Sequence, residues 1–195
     1  YHACVVLPLY MADRALVRAK VVALQASHAQ TPDPASIEVL RARHDAYLRV
    51  AEQALQAREL FCLMMTGLPG SGKSWLAGQL AIELPAVRAR SDLERKRLAG
   101  IDALARSSSA PGGGLYTEAQ TAAVYARLER CAAEVLGGRF NVIVDANYGQ
   151  RRQRAALAEL CRFLSVPLIV VQCEAPLSLR RERIAARLSS AQDPS

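Results

Sequence analysis

The run from Gly67 to Ser74 follows the pattern G-x-x-x-x-G-K-[ST] and carries the clearest chemical signal in the sequence. Its glycines let consecutive backbone N–H groups turn inward around phosphate oxygens, because no side chain blocks the approach. Lys73 would then reach the β- and γ-phosphates of a nucleotide. Ser74 would begin a helix, whose positive dipole end faces the phosphates, and offer its hydroxyl to Mg²⁺. The pattern therefore predicts a site for a nucleoside triphosphate with magnesium.

The segments on both sides of this loop fit that interpretation. The preceding run, Leu60 to Thr66, is apolar and typical of a strand that is buried on both faces. The following segment predicts a helix that ends before Pro85. The apolar side of that helix would consist of Trp75, Leu76, Leu80, Ile82 and Leu84. The residues predicted to bind the nucleotide are Gly67, Pro69, Gly70, Ser71, Gly72, Lys73, Ser74 and Trp75.

Two aspartates follow predicted strands at the edge of a sheet where ligands bind. Asp145 comes directly after the apolar run Val142 to Val144, where a carboxylate meets Mg²⁺ directly or through water. Ser74 and Asp145 are therefore the predicted magnesium ligands. Asp92 follows another predicted strand and would accept the proton of an acceptor hydroxyl that attacks the γ-phosphate. The alternative for Asp92 is an N-cap of a helix from Leu93 to Leu98.

Two groups of arginines follow the last two predicted strands, and guanidinium groups bind phosphate oxygens in pairs. The first group is Arg151, Arg152 and Arg154, and the second is Arg180, Arg181, Arg183 and Arg187. Arg183 and Arg187 lie one helical turn apart, so they share a helix face. Together with Lys73 and Asp92, they are the predicted catalytic residues. The same arginines would alternatively form a solvated face balanced by Glu182.

The composition limits the kind of protein. A chain of 195 residues, 51% of them hydrophobic, is long enough for one well-buried domain with an appendage. The net charge of +7 comes almost entirely from arginine, which suits phosphate recognition. Nucleic acid is a less favoured partner, because the arginines are scattered and not interleaved with aromatic residues. Five cysteines without C-x-x-C spacing indicate buried thiols in a reducing compartment, and no run is long enough to span a membrane, so we expect a cytoplasmic protein.

The order of elements changes near residue 60. Before it, two amphipathic helices over residues 11–27 and 35–57 predict a helical pair. The apolar positions of the first are Leu16, Val17, Val21, Val22 and Leu24, and those of the second are Ile37, Leu40, Tyr47, Leu48, Val50 and Leu55. After it, strands over residues 60–66, 86–90, 141–146 and 167–173 alternate with helices and predict a parallel sheet. Residues 106–114 form either a loop that faces the substrate or a plain connector, followed by a helix that starts behind Thr117 and ends at Gly137 and Gly138.

Four segments occur together in an order that resembles a known family. They are Gly67 to Ser74, Ser91 to Arg97, Val142 to Ala146 and Cys173 to Pro176. With them, residues 60–195 resemble the AAA_33-type P-loop kinases, which are relatives of polynucleotide kinase, gluconate kinase and zeta toxin. The resemblance implies a three-layer α/β P-loop NTPase fold of the nucleoside-kinase type, with a parallel sheet in the order 2-3-1-4-5. It also implies an ATP- and Mg²⁺-dependent phosphotransferase with Asp92 near the acceptor and the second arginine group in a lid over ATP.

The segment before the loop resembles a different family. Residues 1–55 look like the last helices of an aminoglycoside phosphotransferase-like domain, which implies the C-terminal part of a bifunctional aminoglycoside phosphotransferase/ATP-binding protein. The predicted division is a helical segment over residues 1–58 and a P-loop kinase domain over residues 59–195. The helical segment contains no His-x-Asp catalytic loop, so we do not expect antibiotic-kinase activity from this chain. No apolar run remains for the fifth strand, which we therefore expect to be missing.

The function that follows is transfer of the γ-phosphoryl group of Mg-ATP to a hydroxyl of a small molecule or nucleotide. Two alternatives stay open at this point. One is a nucleotide-binding regulatory module without transfer activity, and the other is a nucleic-acid 5′-hydroxyl kinase. The sequence does not identify the acceptor, and GTP in place of ATP is also open.

Overall fold

The computed structural model describes residues 1–28, 33–56, 59–102 and 117–189. The chain divides into two compact units. One unit is Ala3–Glu59, and the other consists of Tyr1, His2 and the chain from Leu60 onward. The predicted loop over residues 106–114 lies outside the described residues. None of the described helices combines the length and the apolar character that crossing a bilayer requires.

The smaller unit is a pair of helices, α1 (Leu7–His28) and α2 (Pro34–Leu55). Asp33 caps α2 by accepting a hydrogen bond of 2.9 Å from the Ser36 backbone N–H. The residues buried between the two helices are Ala12, Ala15, Ala19, Val22 and Ala51. The predicted apolar face was therefore wrong for Leu16, Val17, Val21 and Leu24, which are exposed. Alanines at helical spacing let the two helix backbones approach closely, so the larger side chains lie outside this seam.

The larger unit contains a parallel sheet of four strands in the described part of the chain, in the order β2-β3-β1-β4. The strands are β1 (Cys62–Thr66), β2 (Ala86–Arg90), β3 (Asn141–Asp145) and β4 (Leu168–Gln172). Both β1 and β3 are central and almost fully buried, whereas β4 lies at an edge and is partly exposed. The predicted α/β fold with a parallel sheet is confirmed, and the order matches the first four strands of the expected arrangement.

Helices cover both faces of this sheet. They are α3 (Lys73–Glu83), α4 (Ser91–Leu98), α5 (Glu118–Gly137), α6 (Arg151–Phe163) and α7 (Leu177–Ser189). The connection from β1 to β2 runs along the sheet in the opposite direction to the connections from β2 to β3 and from β3 to β4. Because such crossovers are right-handed, α3 lies on one face, and α5 and α6 lie on the other. The larger unit thus forms three layers, with the carboxyl ends of its four described strands at one edge.

The helix α3 packs with a narrower apolar stripe than its sequence indicates. Leu76, Ala77 and Leu80 pack against Leu63 and Ile143 of the sheet. Trp75 and Ile82 were also expected on the apolar side, but they are 71% and 75% exposed. The two residues are seven positions apart and therefore share the opposite face of the helix.

The ends of α5 agree with the sequence prediction, and the burial of the cysteines agrees in part. The Thr117 hydroxyl accepts a hydrogen bond of 3.3 Å from the Gln120 backbone N–H, and the helix ends at Gly137, as predicted. All five cysteines are free. The prediction of buried thiols holds for Cys62, Cys131 and Cys161, but not for Cys4 and Cys173, which are partly exposed.

Candidate functional site

The loop between β1 and α3 has the backbone conformation that its glycines predict. Gly67, Gly70 and Gly72 have φ angles of 139°, 80° and 94°, which side-chain-bearing residues rarely adopt. Gly72 is also the N-cap of α3, and no side chain of the described residues caps this helix end. The first N–H groups of α3 therefore point toward the loop as hydrogen-bond donors for an anion.

Two buried polar side chains lie inside this loop. Lys73 is the first residue of α3, and its Nζ donates a hydrogen bond of 2.9 Å to the Leu68 carbonyl oxygen. The Oγ of Ser71 is buried and has no hydrogen-bond partner among the described residues. Buried polar groups normally have partners, so the Ser71 hydroxyl fits a site whose ligand supplies one. Ser74 lies half-buried in the first turn of α3, and the exposed Trp75 follows it.

The segment after β4 rests directly on this loop. A Cβ atom added at Gly67 would lie 2.3 Å from the Cys173 carbonyl oxygen, and one added at Gly70 would lie 2.7 Å from the Arg180 carbonyl oxygen. Both neighbours are backbone atoms, which have little freedom to move aside. Glycine is therefore required at these two positions for close approach as well as for a positive φ angle.

Replacing Gly67 with alanine should consequently destabilise the protein far more than a positive φ angle alone does. Gly100 is the matched control, because its φ angle is 67° and, apart from its chain neighbours, no atom of the described residues lies within 4 Å of an added Cβ. We expect Gly100→Ala to lower the free energy of unfolding by about 1 kcal/mol and Gly67→Ala by about 3 kcal/mol, since only the latter forces the backbone to shift. Urea denaturation measures both. Equal losses of unfolding free energy in the two variants would show that the backbone near Cys173 moves aside without an energetic penalty.

The helix α7 brings arginines to the loop. The Nη1 of Arg183 donates a hydrogen bond of 3.3 Å to the Gly70 carbonyl oxygen. The Nε of Arg180 is buried and has no hydrogen-bond partner among the described residues. Arg181 is exposed. Arg187 belongs to α7, but its side chain lies outside the described part of the structure.

Of the three arginines that begin α6, Arg154 is the one that is partly buried. The Nη1 of Arg154 donates a hydrogen bond of 2.7 Å to the Tyr148 carbonyl oxygen and so holds the loop that follows β3. Arg151 is exposed, and the exposed Arg152 forms an ion pair of 2.8 Å with Glu118. Spacing alone did not distinguish these three residues, because the distinction depends on which face α6 turns to the sheet.

The predicted metal ligand Asp145 ends β3 and is only 5% exposed. Its Oδ2 accepts a hydrogen bond of 2.5 Å from the Nη2 of Arg88, which comes from the neighbouring strand β2. Arg88 was not among the site residues predicted from the sequence. The available signal was a charged residue within a strand of an otherwise apolar sheet.

The donor set suits magnesium. Mg²⁺ prefers oxygen ligands, usually takes one or two carboxylates, and completes its shell with substrate phosphates and water. The Ser74 hydroxyl and the Asp145 carboxylate are such oxygens. Among the described residues there is no cluster of three or more His, Cys, Asp or Glu side chains that would hold a metal without a nucleotide. Ser74 and Asp145 remain the residues predicted to hold the ion together with a nucleotide.

Asp92 lies in the first turn of α4, at the carboxyl end of β2. The N-cap of α4 is Arg90, so the alternative interpretation of Asp92 as an N-cap is wrong. The helix begins two residues earlier than expected, at Ser91, and this places Asp92 inside it. Its Oδ2 lies 3.2 Å from the Nζ of the buried Lys96, one turn along the helix. The predicted base is thus part of an ion pair.

A second buried carboxylate anchors the same helix. Glu94 is fully buried and forms ion pairs with Arg97 and, at 3.3 Å, with the Nε of Arg127 on α5. Glu94 was not among the residues predicted from the sequence, because its partner Arg127 is distant in the sequence. The pair fixes α4 on α5 and thereby fixes the position of Asp92.

A cavity of about 430 Å³ opens beside the phosphate loop, between the segments that follow β3 and β4. Its lining residues are Thr66, Gly67, Leu68, Ser71, Asn147, Tyr148, Gly149, Arg154, Gln172, Cys173, Glu174, Ala175 and Arg180. The Thr66 hydroxyl donates a hydrogen bond of 3.0 Å to the Asn147 carbonyl oxygen and joins two of these segments. Burial raises the pKa of the Cys173 thiol; the Lys73 ammonium lowers it in part, and the Asp145 carboxylate raises it further. Lys73 and Asp145 are therefore both within electrostatic range of Cys173.

Comparison with known families agrees with this geometry. The AAA domain family AAA_33 matches residues 62–195, a range that contains the whole sheet and the phosphate loop. The chain belongs to this AAA domain family. The AAA_33 membership expected from the four sequence segments is thus confirmed.

Relatives of the AAA_33 chain are longer than the chain itself. Uncharacterized proteins of Mycobacterium tuberculosis and Mycobacterium bovis are 32% identical to it over 184 residues. The match covers 94% of this chain but only 36% of each relative. The AAA_33 chain therefore spans about a third of the length of these proteins.

Solved structures share the fold of the AAA_33 domain. A candidate kinase from Chloroflexus aurantiacus superimposes with a TM-score of 0.56 at 20% identity, over 68% of each chain. The APS kinase of Mycobacterium tuberculosis, solved in complex with AMPPNP and APS, superimposes with a TM-score of 0.51 at 24% identity. That match covers 67% of this chain and 71% of the APS kinase. The fold is that of a kinase-like P-loop domain.

Proposed function

We propose that residues 59–195 form a kinase domain that binds Mg-ATP and transfers its γ-phosphoryl group to a hydroxyl of a small molecule or nucleotide. The observation that carries the proposal is Lys73, buried at the start of α3 inside a loop of three positive-φ glycines, with Arg183 of α7 on the same loop. Backbone N–H groups, an ammonium and a guanidinium placed around one point supply the positive field that phosphoryl transfer requires. The bound AMPPNP of the APS kinase supports an ATP-like ligand for this fold.

The groups that act in the proposed reaction follow two different strands of the sheet, the phosphate loop after β1 and Asp92 after β2. The oxygen of the acceptor hydroxyl bonds to the γ-phosphorus while the bond from phosphorus to the bridging oxygen of ADP breaks. The hydroxyl proton passes to the Asp92 carboxylate, whose Oδ2 lies 3.2 Å from the Nζ of Lys96. Lys73, Arg183 and Arg187 neutralise charge on the phosphates. Ser74 and Asp145 would hold magnesium, which would supply further positive charge beside the phosphates.

The cavity beside the loop would take the nucleoside. It is lined by the segments after β1, β3 and β4, whereas Asp92 follows β2, the strand farthest from β4 in the sheet. A volume of about 430 Å³ falls within the range of small-molecule sites. This division puts the nucleoside on the β4 side and the acceptor on the β2 side, with the phosphates between them.

Nucleotide binding should therefore protect Cys173 from a thiol reagent. Cys173 lines the cavity, so only nucleotide-free protein should react there. With ATP at ten times its Kd, we expect labelling about tenfold slower, because labelling follows the unliganded fraction. Mass spectrometry of tryptic peptides measures the rate, and the Cys173→Ser variant assigns the peptide. Cys4, which is partly exposed in the other unit, is the internal control and should react equally fast with and without ATP. An unchanged rate at Cys173 would exclude the nucleoside from the cavity.

A regulatory module that binds ATP without transfer is the second candidate function. The observation that favours it is the engagement of Asp92 by the buried Lys96, which leaves the proposed base ion-paired. Under this alternative, ATP would alter the protease sensitivity of residues 3–59 and no acceptor would stimulate turnover.

We also propose that the domain acts within a longer chain, attached to an aminoglycoside phosphotransferase-like domain of which residues 1–58 are the last part. The greater length of the mycobacterial relatives supports an additional domain. The exposed apolar side chains of α1, among them Leu16, Val21 and Leu24, would be covered by it.

The experiment that tests the proposed function is ADP release from Mg-ATP across a panel of sugars, nucleosides, aminoglycosides and 5′-hydroxyl oligonucleotides. The Lys73→Met variant serves as the blank. Release that one acceptor class stimulates and the blank lacks would establish a kinase and name the class. Stimulation by oligonucleotides alone would make the protein a nucleic-acid 5′-hydroxyl kinase. Tight ATP binding without stimulated release would favour the regulatory module, and no ATP binding would overturn both.

A further inference from the structure

The carboxylate that would hold magnesium already has a cation. Arg88 donates from Nη2 to Oδ2 of Asp145 over 2.5 Å, and the Arg88 side chain is only 18% exposed. In the register of the sheet, Arg88 lies opposite Ile143 and Arg90 lies opposite Asp145. The Arg88 side chain therefore reaches two positions along β3 toward the carboxyl edge. This is the edge where the phosphate loop and the cavity lie.

The surroundings of Arg88 leave it few alternatives. The helix α3 passes over the guanidinium, since a Cβ atom added at Gly78 would lie 3.4 Å from its Nη1. Its Nε is buried and has no hydrogen-bond partner among the described residues. A buried guanidinium without full hydrogen bonding is unfavourable unless a carboxylate compensates its charge. Asp145 is that carboxylate.

We propose that Arg88 is a positioning residue that competes with magnesium for Asp145 and thereby sets how much Mg²⁺ the protein needs to bind ATP. This inference rests on the proposed function. A carboxylate oxygen that already accepts a hydrogen bond from a guanidinium is a poor ligand for a second cation, and two cations in a buried site repel each other. Magnesium that arrives with the nucleotide must therefore draw Asp145 away from Arg88. Without the nucleotide, Arg88 supplies the charge that keeps Asp145 in place.

A purely structural ion pair is the competing explanation, and the two make different predictions. A purely structural ion pair between Arg88 of β2 and Asp145 of β3 would affect only the free energy of unfolding. A competitor for Asp145 would also affect the Mg²⁺ concentration that half-saturates ATP binding. A titration at several Mg²⁺ concentrations separates the two, because stability does not enter an affinity that is measured on folded protein.

The test is isothermal titration with ATP, first with a chelator and then with increasing Mg²⁺, on wild type, Arg88→Gln and Arg88→Lys. Arg130→Gln on α5 removes the same charge from an exposed position and is the matched control. For Arg88→Gln we expect the half-saturating Mg²⁺ concentration to fall about tenfold, because a unit charge a few ångström from the ion is removed. Arg88→Lys keeps the charge but loses the planar guanidinium. Its half-saturating Mg²⁺ concentration should lie between those of Arg88→Gln and wild type. Arg130→Gln should match wild type.

An unchanged Mg²⁺ requirement in Arg88→Gln would overturn the inference. The ion pair of Arg88 with Asp145 would then have a purely structural role. If Arg88→Gln does not fold, Arg88→Lys decides in the same way, since an unchanged requirement in that variant also overturns it. Absence of ATP binding by wild type at every Mg²⁺ concentration would overturn the proposed function itself. The two failures are therefore distinguishable.

Discussion

Replacement of Lys73 with methionine should abolish phosphoryl transfer and weaken ATP binding. The Lys73 ammonium is buried at the first position of α3, within reach of the loop carbonyl oxygen of Leu68, and phosphate oxygens would be its alternative partner. Removing a preorganised donor from developing charge costs about three orders of magnitude in rate. Losing a charge-assisted hydrogen bond should also weaken ATP binding about tenfold or more. Methionine keeps most of the buried side-chain volume, so the fold should persist.

Two measurements check this expectation. Acceptor-stimulated ADP release gives the rate, and isothermal titration gives the affinity for Mg-ATP. Lys20→Met is a suitable control, because Lys20 is exposed on α1 in the other unit. Transfer by Lys73→Met at the wild-type rate would show that the loop does not bind the reacting phosphates.

The second large effect should come from Asp92→Asn, which should lower transfer by about two to four orders of magnitude, as loss of a proton acceptor does. ATP affinity should remain close to that of wild type, because Asp92 follows β2 and the phosphate loop follows β1. The variant should also lose some stability, since the buried Lys96 ammonium loses the carboxylate 3.2 Å away. Single-turnover transfer and isothermal titration, each normalised to folded protein, separate these effects.

Lys96→Met is the control for Asp92. It breaks the same ion pair but retains the carboxylate, so transfer should survive in it. A loss of transfer in Lys96→Met as severe as that in Asp92→Asn would assign the effect to the ion pair. Full transfer by Asp92→Asn would remove Asp92 from the reaction and strengthen the regulatory alternative.

Local patterns were sufficient to predict the frame of the site. The glycine spacing of the loop predicts its positive φ angles, because these angles are a property of glycine itself. The apolar runs before Gly67 and Asp145 predict the two central strands, since strands buried on both faces need continuous apolar residues. Parallel strands then place the loop and both aspartates at one edge of the sheet.

Contacts between distant residues were not predictable in this way. The pairing of Arg88 with Asp145 depends on the register of β2 against β3, and no local pattern encodes that register. The same limit applies to Glu94, whose partner Arg127 is on another helix. On α1, leucine and valine are more hydrophobic than alanine. Nevertheless, Ala12, Ala15 and Ala19 are the buried residues, because small side chains let α1 and α2 pack closely.

The exposed edge of the sheet has a practical consequence for handling the protein. Along its outer side, β4 carries unpaired backbone donors and acceptors in the described part of the chain, next to the half-exposed Ile169 and Val170. An exposed edge strand with apolar side chains can template strand addition between copies and so promote aggregation as concentration rises. The colloidal behaviour of a purified preparation will therefore depend on β4 more than on the net charge of +7, and a lysine in place of Val170 is the change most suited to keeping it monodisperse.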